Sequence, residues 1–277
     1  MTYVIELIKY IILGIIQGIT EIFPVSSSGH LVLFSTLFMG GENIDETLTL
    51  FLMITNMGSF LALLLFYLED VKSLIKDGWQ FVFNPKKRKD LETSNNFFYA
   101  IKLVIAIIPI GIAGLLIKDY LPTNLLSVGI SLCVTASLLF IIFMLRNVKF
   151  NNTIEYKSAT IIGLFQMFAV FPGVSRSGIT LVGGLSQKIE IKKVMRFSFL
   201  CYLLVSIPVS LLGMVDAINN PGTIDIPGFV LAFIFSFIFS LLTIKIMHKY
   251  VTVKNLIYFA GYALLVGLTS ITLYFIL

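Results

Sequence analysis

The chain has 277 residues, of which 57% are apolar and only 13% charged, and its mean hydropathy is +0.96. Soluble domains run nearer about 45–50% apolar and about 25% charged, so this composition excludes an ordinary water-soluble enzyme and indicates an integral membrane protein. The net charge of +5 is modest and sits in the loops, which speaks to membrane orientation and against nucleic acid as a partner. Cys133 and Cys201 both lie in apolar runs, where core packing is the better reading than a disulfide.

In chain order, Val4 to Phe23 is apolar but is broken at once by Pro24 and three serines. Leu31 to Met39 is too short to cross a bilayer, since a crossing takes about 20 residues. Together these two predict a re-entrant hairpin, two half-helices meeting at a loop. Leu48–Leu68, Phe97–Ile117 and Leu125–Leu145 predict three crossings. Ser158–Phe171 and Ile179–Gln187 predict a second re-entrant pair, and Phe197–Val215, Ile226–Met247 and Leu256–Leu277 three more crossings. The expected fold is an all-α polytopic membrane protein with six transmembrane helices and two re-entrant hairpins. It forms one membrane domain, residues 1–277, made of two repeats at about 1–146 and 150–277.

Lys and Arg place the loops. Lys72, Lys76 and the run Lys86 to Lys89 fall in a basic loop at about 70–96. Arg146, Lys149 and Lys157 precede the second hairpin, Lys188, Lys192, Lys193 and Arg196 follow it, and Lys245, Lys249 and Lys254 lie between the last two crossings. Taking these loops as cytoplasmic puts both termini outside and makes the hairpins enter from opposite faces, an inverted-topology repeat. The run Lys86–Lys89 reads first as a positive-inside determinant and second as a site for anionic lipid headgroups.

The repeat is legible residue by residue. Adding 149 to each position of Gly14–Leu31 lands on Gly163–Thr180 without a gap. Gly14 meets Gly163, Gln17 meets Gln166, Ser26 meets Ser175, and Ser28-Gly29 meets Ser177-Gly178. The mismatches are Glu21 against Val170, Ser27 against Arg176 and His30 against Ile179. Two copies of one scaffold therefore carry different polar cargo. Ionisable residues at membrane depth are costly and point to function, although small residues alone also serve helix packing. Arg176 offers a planar fork of donors that suits phosphate oxygens, and the helix starts after each Ser-Gly turn offer backbone N–H groups. Glu21 and His30 form the candidate acid/base pair, and Ser26, Ser27 and Ser28 are candidate nucleophiles.

These residues carry a resemblance. The run Gln17-Gly18-Ile19-Thr20-Glu21-Ile22-Phe23-Pro24-Val25-Ser26-Ser27-Ser28-Gly29-His30-Leu31, the motif Pro172 to Thr180, and Phe197 to Leu200 resemble the undecaprenyl-diphosphate phosphatase family, integral-membrane enzymes linked to bacitracin resistance. Gly58-Ser59 also falls where that family has such a pair. Gln17 stands where many members have Glu, so it cannot transfer protons here, and Pro208 lies about one helical turn later than usual.

The resemblance implies hydrolysis of undecaprenyl diphosphate to the monophosphate plus phosphate, recycling a lipid carrier of cell-wall glycan synthesis. The catalytic residues would be Glu21, Ser27, His30 and Arg176, with Gln17, Ser26, Ser28, Ser175, Ser177 and Thr180 binding substrate. The nucleophile is Ser27 or water, with Ser27 preferred because it alone of the three serines has no counterpart in the second repeat. No zinc-like spacing occurs; Mg²⁺ or Ca²⁺ held by Glu21 and the substrate phosphates is the expected metal. The expected partners are the lipid substrate and the bilayer, with a homodimer as an open alternative. The expected location is the cell membrane, with the site facing outside. The rival reading is a transporter or flippase of a polyprenyl phosphate, since broken helices in inverted repeats are also carrier architecture.

Overall fold

The computed structural model describes residues 2–39, 45–117, 120–219 and 225–277. It is a helical protein, with one isolated bridge between Asn152 and Ile189 and no strand among the described residues. Among these residues, eleven α-helices follow in order: α1 Thr2–Ile22, α2 Ser27–Met39, α3 Asp45–Phe66, α4 Leu68–Phe83, α5 Leu91–Ile117, α6 Leu125–Met144, α7 Tyr156–Met167, α8 Arg176–Leu185, α9 Ile191–Asn219, α10 Ile226–Tyr250 and α11 Leu256–Ile276. Both expected helix breaks are present. The first breaks between α1 and α2, and the second between α7, extended by a 3-10 turn at Phe168–Val170, and α8.

Among the described residues, six helices are long and apolar enough to cross a membrane. The membership differs from the sequence reading. The first half-helix, read from Val4 to Phe23, is one of the six, at Tyr3–Ile22. The crossing read at Leu48–Leu68 is the first arm of a broken pair, Leu50–Phe66 and Leu68–Phe83, bent by 72°, which counts as a seventh span if the pair is taken as one. The bend occurs where Glu69 and Asp70 open α4, because carboxylates favour the positive end of a new helix. The basic stretch at 70–96 is thus mostly helical rather than a loop, and only residues 84–90 form the turn into α5. Helices α5 and α9 run unbroken through Pro109 and Pro208.

The halves pack by exchange. Helix α1 lies on α10, while α7, its counterpart, lies on α5. The approach is close at matching glycines: a Cβ on Gly14 would meet the Ala232 carbonyl oxygen at 2.4 Å, and one on Gly163 the Ala106 carbonyl oxygen at 2.7 Å. Helices α6 and α11 pack on each other through Gly129 and Gly267, where a Cβ on either would sit within 3 Å of the other's carbonyl oxygen. Small residues allow such backbone approach, the main source of helix association in lipid. Gly58-Ser59 belongs to this class. Ser59 bonds Ser236 at 3.0 Å and Ser240 at 2.9 Å, joining α3 to α10. The largest apolar cluster, around Phe197, Leu181, Leu185 and Ile162, holds α7, α8 and α9 together beneath the second hairpin.

Candidate active site

The two hairpin breaks meet each other. Ser28 Oγ accepts from the Gly173 amide at 3.4 Å, and Ser177 Oγ donates to the Phe23 carbonyl at 3.2 Å. Equivalent serines thus reach across to opposite loops. Ser26 and Ser175 serve as N-caps: Ser26 Oγ accepts from the Gly29 amide at 3.2 Å, and Ser175 Oγ from the Gly178 amide at 3.1 Å. Each also lies 3.3 Å from the hydroxyl two residues on, at Ser28 and Ser177. The remaining first-turn amides, at Ser27, Ser28, Arg176 and Ser177, find no protein acceptor among the described residues.

The unshared residues converge beside this junction. Arg176 Nη2 donates to Glu21 Oε1 at 2.8 Å, bridging the two hairpins. Ser27 Oγ donates to Glu21 Oε2 at 2.5 Å. Gln17 Nε2 donates to the same oxygen at 3.0 Å and to Asn56 Oδ1 of α3 at 2.7 Å. Glu21 is buried, whereas the Arg176 side chain is 23% exposed, so the guanidinium forms the accessible edge of the cluster. Its Cζ sits 4.2 Å above the Tyr202 ring of α9, and the Tyr202 hydroxyl donates to the Asn56 carbonyl at 3.1 Å. Stacking and the single bond to Glu21 leave further N–H groups of the fork for a ligand.

His30 and Thr180 stand apart from this cluster. His30 is buried, and it shares no hydrogen bond with Glu21, the expected acid/base partner. Its Nδ1 donates to the Ser26 carbonyl at 2.7 Å, which fixes the tautomer and makes Nε2 the acceptor of the Tyr262 hydroxyl at 2.9 Å. The two rings are also stacked, with centroids 5.4 Å apart. Ser26, the residue His30 holds, has φ +70, a left-handed conformation that a non-glycine residue keeps only when its surroundings enforce it. Thr180 turns to α9, where its hydroxyl lies 2.5 Å from Ser198 Oγ.

Residues 10–269 match the family described as bacitracin resistance protein BacA. The chain belongs to that family. Among its relatives, it is 77% identical, over the full 277 residues of both chains, to a protein of Acholeplasma laidlawii (strain PG-8A) named undecaprenyl-diphosphatase. It is 40% identical over 269 residues, 95% of this chain and 96% of the relative, to undecaprenyl-diphosphatase 1 of Bacillus cereus. A third relative, an undecaprenyl-diphosphatase of Oceanobacillus iheyensis, is 37% identical over 268 residues, 94% of each chain.

Three members of the site lie outside the BacA-like motifs quoted from the sequence. Asn56, Tyr202 and Tyr262 reach it from α3, α9 and α11. Asn56 carried the one available signal, an amide alone in the apolar run Leu48–Leu68. A tyrosine in such a run gives none, because aromatic residues are ordinary there.

Proposed function

We propose that the chain is an undecaprenyl-diphosphate phosphatase, cleaving the lipid diphosphate to the monophosphate plus phosphate. The supporting observation is the chain of contacts Ser27–Glu21–Arg176, which sets a hydroxyl on a carboxylate beside a partly exposed guanidinium at the junction of two broken helices. The names of the relatives agree with that chemistry. The terminal phosphate sits against Arg176 and the free amides of α2 and α8, where oriented donors stabilise charge on the phosphoryl group in flight. Arg176 transfers part of its hold from Glu21 to the phosphate. Ser27 Oγ attacks the terminal phosphorus, its proton passes to Glu21 Oε2, and the bridging P–O bond breaks to release the lipid monophosphate. Water then cleaves the phosphoserine, with Glu21 again handling the proton. His30 acts as a positioning residue, holding Ser26 and therefore the turn that presents Ser27.

A divalent cation, Mg²⁺ or Ca²⁺, fits this site as a companion of the diphosphate and not as a resident of the protein. Glu21 is the only carboxylate of the cluster and both its oxygens are engaged, and no group of three His, Cys, Asp or Glu side chains assembles among the described residues. Bound with substrate, such an ion would neutralise phosphate charge.

The reading extends to the cell membrane, an inverted relation of the hairpins and a cavity open to the outer face, on the distribution of Lys and Arg. A cysteine at exposed Thr123, in the linker between α5 and α6, should react with an impermeant thiol reagent in intact cells, and one at Lys87 should not. The reverse pattern would invert the orientation. The activity itself is tested by phosphate release from undecaprenyl diphosphate by the purified protein. Binding of the lipid without phosphate release would favour the carrier reading instead.

A further inference from the structure

Helix α4 has a face that the proposed chemistry does not use. Its inner side is fastened to α5: Phe81 stacks on Phe97 with centroids 4.0 Å apart, and Asn96 donates to Asp77 at 2.7 Å. Arg88 folds back to bond the Phe81 and Val82 carbonyls at 2.8 and 2.9 Å, closing the C-terminus of α4. The outer side carries Ile75, Trp79, Val82 and Phe83, a single stripe at helical spacing, with Trp79 67% and Phe83 63% exposed. Trp79 and Phe83 pack together at 4.2 Å between centroids. Exposed Lys72 and Lys76 flank the stripe, and Lys86, Lys87 and Lys89 follow in the turn, where none of these last three pairs with a carboxylate among the described residues.

We propose that α4 and its turn form an interfacial site for anionic phospholipid. The 72° bend from α3 turns α4 away from a membrane-spanning direction, and its 16 residues make a rod roughly 24 Å long. A large apolar stripe, a tryptophan at its centre and lysines along its margin are the pattern of a helix lying in the headgroup region. The stripe rests on the upper acyl chains. Lys86, Lys87 and Lys89 take headgroup phosphates, while Arg88, spent on the helix end, holds the turn in shape. This goes beyond a positive-inside signal, because that signal requires only charge in the loop and neither the apolar stripe nor the folded turn.

Trp79 is the only tryptophan in the chain, so its fluorescence reports this helix alone. The full-length protein is reconstituted in bilayers where either the anionic phosphatidylglycerol or the zwitterionic phosphatidylcholine carries bromine near the headgroup end of the acyl chain. Brominated phosphatidylglycerol should quench Trp79 more strongly, since one basic residue at a surface can enrich anionic lipid by up to about five-fold. That preference should shrink in high salt and in the K86A/K87A/K89A variant, checked for helix content by circular dichroism. Absence of quenching would remove α4 from the interface. Equal quenching by both lipids, or a preference that survives both salt and the triple substitution, would overturn the headgroup site.

Discussion

Residues 17–31 and 166–180 are one scaffold used twice, and their differences separate architecture from chemistry. What the two loops share is structural: Ser26 and Ser175 cap their helices, and Ser28 and Ser177 stitch the loops to each other. What they do not share, Glu21 and Ser27 on one side and Arg176 on the other, forms the cluster between them. The backbone diverges as well. The first loop reaches the left-handed region at Ser26, and the second at Gly173, two positions earlier in the repeat frame and with φ +90. A glycine adopts that conformation without strain, whereas Ser26 is held in it by His30. Gln17 and Gln166 extend the contrast. Both are buried, but Gln17 binds Glu21 and Asn56, while both amide atoms of Gln166 lack a partner among the described residues.

The sharpest break of this comparison is Ser27→Ala. As the nucleophile, Ser27 should lower kcat by about 10³ or more when removed, and a labelled phosphoenzyme trapped in the wild type should vanish. A much smaller loss with no phosphoenzyme in either protein would assign the attack to water. Next in size is Arg176→Lys. Lysine keeps the charge but loses the fork and the flat stack on Tyr202, so activity should fall by about 10² to 10³ with thermal stability retained. Turnover close to wild type in that variant would remove Arg176 from transition-state binding.

The smallest effect has the opposite sign. Gln166→Met replaces an orphaned amide with an apolar chain of similar length and should stabilise the detergent-solubilised protein by about 1 kcal/mol, with kcat unchanged. The same change at Gln17 strands Asn56 and Glu21 and should cost activity. A destabilised Gln166→Met protein would mean that this amide has a partner after all, and the contrast between the repeats would narrow.

The hairpins were legible in the sequence because a Pro-Ser-Ser-Ser-Gly run between apolar stretches cannot continue a helix, and the ungapped offset of 149 exposed the second copy. The contact of Glu21 with Arg176 did not follow from that symmetry, which matches Glu21 to Val170 and Arg176 to Ser27. Nor did the placement of His30, because the ring nitrogens are committed by a left-handed Ser26 and by Tyr262, which is 232 positions away. Helix α4 was obscured for a different reason. Its mixture of lysines, carboxylates and aromatics reads as a polar loop when scanned for bilayer-spanning runs, although its stripe has helical period. The run read at Leu48–Leu68 forms the helix Asp45–Phe66, but hydropathy does not register the change in helix direction at Tyr67.

The ion pair between the hairpins also has a consequence for biosynthesis. Glu21 and Arg176 are 155 residues apart, so at ordinary ribosome speeds the carboxylate is made roughly ten to thirty seconds before its guanidinium. During that interval Glu21 has only the Gln17 and Ser27 donors of its own half, so it either takes up a proton or keeps contact with water. Burial of Glu21 as a charged group is therefore timed by the arrival of the second half.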